Sequence, residues 1–212
     1  MRRIFLGAMV LGAALMAAVP AAKAHPHVWV VSASEVIYGA DGAVTGIRHA
    51  WTFDDMFSTY ALQGLETKTK GVYSREELAP LAETNVTSLK EFGFFTFVRA
   101  GGRKEKFNEP VDYYLEYTDS RLVLHFTLPF KTPVQAKELA LEVYDPSYFV
   151  GFDLAEKEPV RFVGAPAGCA AQVAAARDAK PPQQTLSEQN FMSGDTSNYG
   201  AMFANKITVT CP

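Results

Sequence analysis

The sequence predicts an α+β domain that is mainly antiparallel β, with a two-sheet, sandwich-like core, a helical insertion and one disulfide. Short segments rich in β-branched and aromatic residues recur along the chain between turn sequences, which is typical of antiparallel sheets. Helical periodicity is concentrated in one stretch, at about residues 56–92. The chain contains only two cysteines, Cys169 and Cys211, enough for one cross-link near its C-terminal end.

The first 24 residues have the features of a cleavable export signal. A positive start at Arg2 and Arg3 precedes an apolar run over residues 4–19, and Ala22-Lys23-Ala24 fits the small-x-small cleavage pattern. The run is shorter than the roughly 20 residues that a membrane-spanning helix needs. We therefore expect cleavage after Ala24, a periplasmic location and no membrane span in the mature chain; the alternative is an uncleaved anchor.

In an exported protein, Cys169 and Cys211 most simply form a disulfide. The bridge would tie the end of the core to a C-terminal strand at residues 207–210. It would contribute roughly 4 kcal/mol by the chain-entropy model. The alternative, a pair of metal-binding thiolates, is disfavoured by the wide spacing and by the oxidising compartment.

Charge and motifs exclude several classes of function. The chain of 212 residues has a formal net charge of −3, and residues 1–24 hold basic but no acidic residues, so the mature domain is more acidic still. This argues against nucleic acid or an anionic membrane surface as a partner. HExxH, GxSxG, P-loop and GxGxxG signatures are absent, and no enzyme is expected. Residues 25–212 fit a single domain.

The first elements predicted are a β-hairpin and a short helix. Residues 28–38 and 44–53 flank the turn Gly39-Ala40-Asp41-Gly42, and residues 56–65 place their apolar side chains on one side of a helix. Residues 66–77 have the twelve-residue outline of an EF-hand loop. Because Lys68 and Lys70 stand where oxygen donors are needed, no calcium is expected.

Ser74-Arg75-Glu76-Glu77 is a capping box, which predicts the start of a second helix that runs to about residue 91. Pro80 either kinks this helix or marks its true start. The rest of the chain is predicted to hold strands at 94–100, 111–117, 122–128, 139–144, 148–154, 160–163 and 207–210, a helix at 170–177, and a polar linker at 178–198.

Two of the four histidines, His25 and His27, lie directly after the predicted cleavage site. Pro26 lacks the amide hydrogen that a square-planar amine-x-x-His site requires. Two modes remain: the new terminal amine and the His25 ring could chelate one ion, or both imidazoles could join a third ligand in a tetrahedral site. Zn, Ni, Co or Cu would suit such donors. The alternative is an exposed strand start without metal.

His49 and His125 are the candidates for a third ligand. His49 alternates with apolar residues of its strand, so a buried, hydrogen-bonded core role is the alternative. His125 lies opposite a leucine-rich face, either exposed or directed at the other sheet. Asp54 is a candidate carboxylate ligand, as are Asp55 and Asp145; their alternative roles are caps and turns.

The chain resembles a bacterial exported family labelled domain of unknown function 1007, also described as a periplasmic component of an uncharacterised ABC-type transport system. The resemblance spans essentially the whole mature chain and rests on an ordered set of motifs: His25-Pro26-His27-Val28-Trp29-Val30, Trp51-Thr52-Phe53-Asp54, Glu76-Glu77-Leu78, Leu89-Lys90-Glu91-Phe92-Gly93-Phe94-Phe95-Thr96, Leu124-His125-Phe126, Val143-Tyr144-Asp145-Pro146, and Cys169 with Cys211.

The resemblance implies a periplasmic protein associated with nickel, cobalt or zinc transport. Family members often carry Asp and Asn where this chain has Lys68 and Lys70, which weakens a calcium role further. The mature chain is small for a two-lobed solute-binding protein. We therefore expect a metal-binding accessory or solute-binding component for an inner-membrane transporter. The alternatives are a non-catalytic interaction module that docks on a permease without metal, and an undetected hydrolase.

Overall fold

The computed structural model describes residues 26–174, residue 176 and residues 198–212. These residues form two mostly antiparallel sheets with a helical region between two of the strands, which confirms the predicted fold class. Because the segment at 178–198 lies outside the described residues except for its last position, the predicted linker is left untested. In the part of the chain described, no helix is both long and apolar enough to cross a membrane.

The first sheet has six strands, and the predicted hairpins are confirmed in it. Its strands are β1 (Val28–Tyr38), β2 (Val44–Phe53), β5 (Val111–Thr118), β6 (Arg121–Val134), β8 (Val150–Leu154) and β9 (Val160–Val163). Strands β1 and β2 form the first hairpin, and β5 and β6 form the second. The order is β5-β6-β2-β1, and the other edge of β1 pairs in parallel with β8 and then, further along, with β9.

The second sheet has five antiparallel strands: β3 (Thr96–Ala100), β4 (Arg103–Lys104), β7 (Glu138–Val143), β10 (Ala170–Ala174) and β11 (Asn205–Thr210). Their order in the sheet is β10-β11-β7-β3-β4.

The predicted helix at 170–177 is wrong: its first five residues are strand β10. The alanines that favour a helix here are overridden by pairing with β11, in which Ala170 lies opposite Thr210. The disulfide between Cys169 and Cys211 is confirmed, and it joins the residue before β10 to the residue after β11. The cross-link therefore holds the two strands in register at that end.

The helical region contains α1 (Asp55–Ala61) and α2 (Arg75–Leu89), and α2 is followed by a 3-10 turn at Lys90–Phe95. The predicted capping box of α2 is confirmed: Ser74 accepts from the backbone of Glu77, and the Glu77 carboxylate accepts from the backbone of Ser74. Pro80 lies inside α2 rather than at its start. Glu77 also accepts from the backbone N–H of Lys68, which ties the preceding loop to the helix.

One continuous apolar core includes residues of both sheets and of α2. Because side chains alternate along a strand, every second residue of β2 points into it. Trp51 is buried in this core, in edge-to-face contact with Phe126 and Phe152. The other face of the six-stranded sheet carries polar and charged side chains, among them Glu35 and Arg48.

Candidate functional site

His27 lies at the entrance to β1 and is held there by contacts with the segment before β8. Its backbone N–H donates to the Phe149 carbonyl at 2.8 Å, and its ring centroid lies 4.8 Å from that of Phe149. Gly151 permits a close approach nearby, because a Cβ there would lie 2.8 Å from Pro26 and 2.8 Å from Trp29. The start of the described chain is thus packed directly on β8. His25 lies outside the described residues.

Asp145 positions Phe149, and through it His27. The Asp145 side chain is buried and accepts hydrogen bonds from the Ser147 backbone and hydroxyl and from the backbone N–H groups of Phe149 and Val150. These bonds shape the turn that presents the Phe149 ring and carbonyl. The predicted ligand candidate Asp145 is therefore fully engaged in forming this turn.

Asp54 joins the start of β1 to α1. Its Oδ2 accepts from the backbone N–H of Trp29 at 2.7 Å, and its Oδ1 accepts from Phe57 at 2.8 Å as the N-cap of α1. Trp29 is two residues after His27, so this bond brings Asp54 close to the strand end at which His27 lies. Asp55 instead pairs with Arg121, with a nitrogen–oxygen distance of 2.6 Å.

His49 is buried between the sheets, with 1% of its surface exposed. Thr96 donates its single hydroxyl proton to the Phe94 carbonyl, so the His49 Nε2 must be the donor in its 3.1 Å bond to Thr96 Oγ1. The other nitrogen, Nδ1, then accepts from Ser34 Oγ at 3.0 Å. Burial lowers the pKa of His49 to about 3, and both nitrogens of the neutral ring are occupied.

His125 lies on the opposite face of the sheet from His49. It stacks on Tyr114, its cross-strand neighbour, with ring centroids 4.5 Å apart. Its buried Nε2 lies 3.3 Å from Glu116 Oε2. Burial is the main cause that lowers the pKa of His125, against the opposing effect of Glu116.

Arg75, at the start of α2, completes this cluster. Its guanidinium carbon lies 3.8 Å from the centre of the Tyr114 ring, and it pairs with Glu116. The hydrogen bond from Arg75 is the main cause that holds the pKa of Glu116 below its usual range. Because Glu116 is matched by a guanidinium, the surroundings of His125 favour a structural ion pair over a cation site.

The structure therefore brings His27 and Asp54 to one strand end and separates them from His49 and His125. Among the residues described, no group of three or more His, Cys, Asp or Glu side chains is arranged to hold a metal ion. His25, the first histidine of the predicted pair, lies outside the described residues. The metal-ligand assignments of His25, His27, His49, His125 and Asp54 stay predictions.

A groove of about 480 Å³ crosses the outer face of the six-stranded sheet, the face directed away from the core. The sequence reasoning missed it, because it depends on which strands are neighbours. We call it the outer-face groove and define it by its lining residues: Ala33, Ser34, Glu35, Arg48, His49, Ala50, Tyr114, His125, Lys157, Glu158 and Arg161. The side chains of Ser34 and His49 are buried on the core face, so only the backbone of these two residues can face the groove. The sequence signal that could have indicated it is one charged residue on each of three strands: Glu35 on β1, Arg48 on β2 and Arg161 on β9.

Comparison with known proteins gives a family but no activity. The sequence pattern of the family described as "Protein of unknown function (DUF1007)" matches residues 10–211. An uncharacterized protein of Haemophilus influenzae is 24% identical over 194 residues, which are 89% of this chain and 91% of that protein. An uncharacterized 15.5 kDa protein in the trpE 3' region of Spirochaeta aurantia is 28% identical over 91 residues, 42% of this chain and 65% of that protein.

Proposed function

This chain belongs to the DUF1007 family, and we propose that it is a periplasmic metal-binding accessory protein for an inner-membrane divalent metal transporter. The observation that carries the proposal is the fixed position of His27 at the start of β1, two residues after the predicted first residue of the mature chain. Cleavage after Ala24 would leave a free amine on His25. One chain end would then offer an amine and two imidazoles to one ion.

The anchoring of His27 favours chelation over loose contact. Its ring is exposed, while its backbone is tied to Phe149 and the following strand is paired on both edges. A ligand whose position is already fixed loses less conformational freedom when an ion binds. In the sequence, Pro26 alone separates His25 from His27.

The donor chemistry selects the class of metal. Imidazole and amine nitrogens suit Zn, Ni, Co and Cu, whereas calcium requires a shell of oxygen ligands. His49 uses both ring nitrogens inside the core, and His125 is separated from the chain start. The remaining coordination positions would therefore go to Asp54, to water or to a donor from the transporter. An incompletely coordinated ion can be passed on, which fits an accessory role better than storage.

The experiment is a titration of Zn²⁺ and Ni²⁺ into protein that begins at His25, compared with His25→Ala, His27→Ala and the double variant. Arg103→Gln, on β4 of the other sheet, is the control, because none of the predicted ligands lies on that strand. We expect tight binding in the parent and the control and its loss in the double variant. Equal affinity and stoichiometry in the parent and the double variant would refute the ligand assignment.

A second candidate function is a non-catalytic module that docks on a permease without metal. The observation in its favour is the exposed pair of aromatic side chains beside the chain start: Trp29 is 46% exposed and Phe149 is 49% exposed. Exposed aromatic side chains are common anchors of protein interfaces. Capture of a permease that resists a chelator but is lost in Trp29→Ala would favour this function over the first.

A further inference from the structure

We propose that the outer-face groove is a second binding site, for a small solute that carries carboxylate groups. Its volume of about 480 Å³ falls in the range of about 300–1,000 Å³ that is usual for small-molecule sites. The site is independent of the metal proposal, because it lies on the sheet face with His125 and uses neither His25 nor His27.

The floor of the groove follows from the sheet register. Ala33 on β1 lies opposite Ala50 on β2, and Ala50 lies opposite His125 on β6. His125 in turn lies opposite Tyr114 on β5, against which it stacks with an interplanar angle of 13°. Two small side chains beside two stacked rings leave a depression with a flat aromatic wall.

A row of charged side chains crosses the same face of the sheet, two residues further along β1 than Ala33. Glu35 lies opposite Arg48 on one side and Arg161 on the other. Glu35 Oε2 accepts from Arg48 Nη1 at 2.7 Å, and Glu35 Oε1 accepts from Arg161 Nη2 at 2.8 Å. One carboxylate thus fixes two guanidinium groups and uses only part of the five N–H donors that each of them has.

The two arginines remain accessible to a ligand. The Glu35 side chain is 20% exposed, whereas those of Arg48 and Arg161 are 46% and 59% exposed. The Glu35 carboxylate is therefore the more buried partner, and the two guanidinium groups are the more exposed to solvent. A guanidinium held in place by such a contact is prepared to bind a planar carboxylate through two parallel hydrogen bonds.

The segment between β8 and β9 adds charge at the rim. Lys157 and Glu158 line the groove there, and Glu158 lies 3.8 Å from Arg161. Among the residues described, Lys157 has no ion pair. Of the described residues that line the groove, three are cationic (Arg48, Lys157 and Arg161) and two are acidic (Glu35 and Glu158), whereas the formal net charge of the chain is −3. This local excess of positive charge favours an anion.

Phosphate also binds to guanidinium groups, but the apolar side chains of Ala33 and Ala50 in the floor favour an organic acid, whose carbon skeleton can contact them, over inorganic phosphate. Isothermal titration with citrate, succinate and inorganic phosphate at constant ionic strength distinguishes these ligands. The titrations use the mature chain with His25 and His27 replaced by Ala. Citrate that is bound to a metal ion at the chain start then adds no heat to the measurement. We expect saturable binding of citrate or succinate and weaker binding of phosphate.

Two kinds of variant locate the site. Arg48→Gln with Arg161→Gln removes the charges, and we expect roughly tenfold or greater loss of affinity, as charge-assisted hydrogen bonds are lost. Ala50→Leu keeps the charges but fills the floor, and it should weaken binding to a similar extent. Arg103→Gln, on β4 of the other sheet, is the control and should bind like the parent.

Thermal unfolding of each variant separates loss of binding from loss of folding. If Ala50→Leu is folded and binds citrate and succinate like the parent, the groove is not the site. Absence of saturable binding to either carboxylate would also overturn the proposal, as would phosphate binding that is equal to or tighter than theirs. None of these outcomes bears on the metal titration, so the two proposals can fail separately.

Discussion

The Nε2 atom of His49 in the six-stranded sheet lies 3.1 Å from the Oγ1 atom of Thr96 in the five-stranded sheet. The imidazole therefore links the two layers through the interior of the protein. Its other nitrogen accepts from Ser34 on the neighbouring strand. The bond to Thr96 needs a proton on Nε2, and Nδ1 accepts from Ser34 only when the ring is neutral. Protonation would reverse the bond to Ser34 and place a charge in the core.

The first prediction concerns acid stability. The pKa of His49 is lowered from 6.5 to about 3 in the folded protein, so below pH 6.5 the unfolded chain binds a proton that the folded chain does not. The free energy of unfolding should therefore fall as pH drops from 6.5 towards 3, at a limiting slope of about 1.4 kcal/mol per pH unit from this group. Burial also lowers the pKa of His125, which adds to the fall just below pH 6.5.

Urea unfolding at several pH values between 7 and 4.5 measures this slope. His49→Gln removes the titrating group and keeps a donor at the buried position, so its slope should be shallower than that of the parent. His125→Gln is a useful comparison, since it removes the half-buried ring alone. Parallel slopes for the parent and His49→Gln would show that His49 does not control acid stability.

The second prediction concerns the partner of His49. Thr96→Val keeps the shape of the side chain but leaves the buried Nε2–H of His49 without an acceptor. We expect a loss of about 1–3 kcal/mol in the free energy of unfolding at pH 7, the usual cost of a buried unsatisfied polar group. Thr118→Val, at an exposed strand end, is the control and should change little. A loss no larger than that of the control would mean that the bond between the sheets contributes nothing.

The third prediction concerns the disulfide. Replacing both Cys169 and Cys211 by Ala should lower the free energy of unfolding by about 2–5 kcal/mol, since the unfolded chain regains the freedom of the closed loop. The same loss should appear when the parent is fully reduced, and reductant should have no further effect on the double variant. If the reduced parent unfolds at the same denaturant concentration as the oxidised one, the bridge does not stabilise the fold.

The fourth prediction concerns Phe149, whose ring packs on that of His27. Phe149→Ala should weaken metal binding several-fold because the His27 ring loses its support, while folding is little affected since Phe149 is half exposed. Val173→Ala removes another exposed apolar side chain, on β10 of the five-stranded sheet, and serves as the control. Unchanged affinity in Phe149→Ala would show that the fixed position of His27 does not matter for binding.

Local patterns predicted much of this fold, because the forces that produce those elements act between residues close in sequence. The capping box at Ser74 and Glu77 and the alternation that buries His49 are both local signals. Strand β10 was predicted as a helix because its alanines favour one, and only pairing with the distant β11 decides otherwise. The outer-face groove escaped prediction for a similar reason: Arg161 reaches Glu35 through a parallel pairing across 126 positions of sequence.

The central claim is that the exported chain holds a transition metal at its first residues. Elemental analysis of protein purified from the periplasm with its native start, beside His25→Ala/His27→Ala purified in the same way, tests it most directly. The account predicts about one equivalent of Zn, Ni, Co or Cu per parent chain and its loss from the variant. Equal metal content in the two proteins, or none in either, would contradict it.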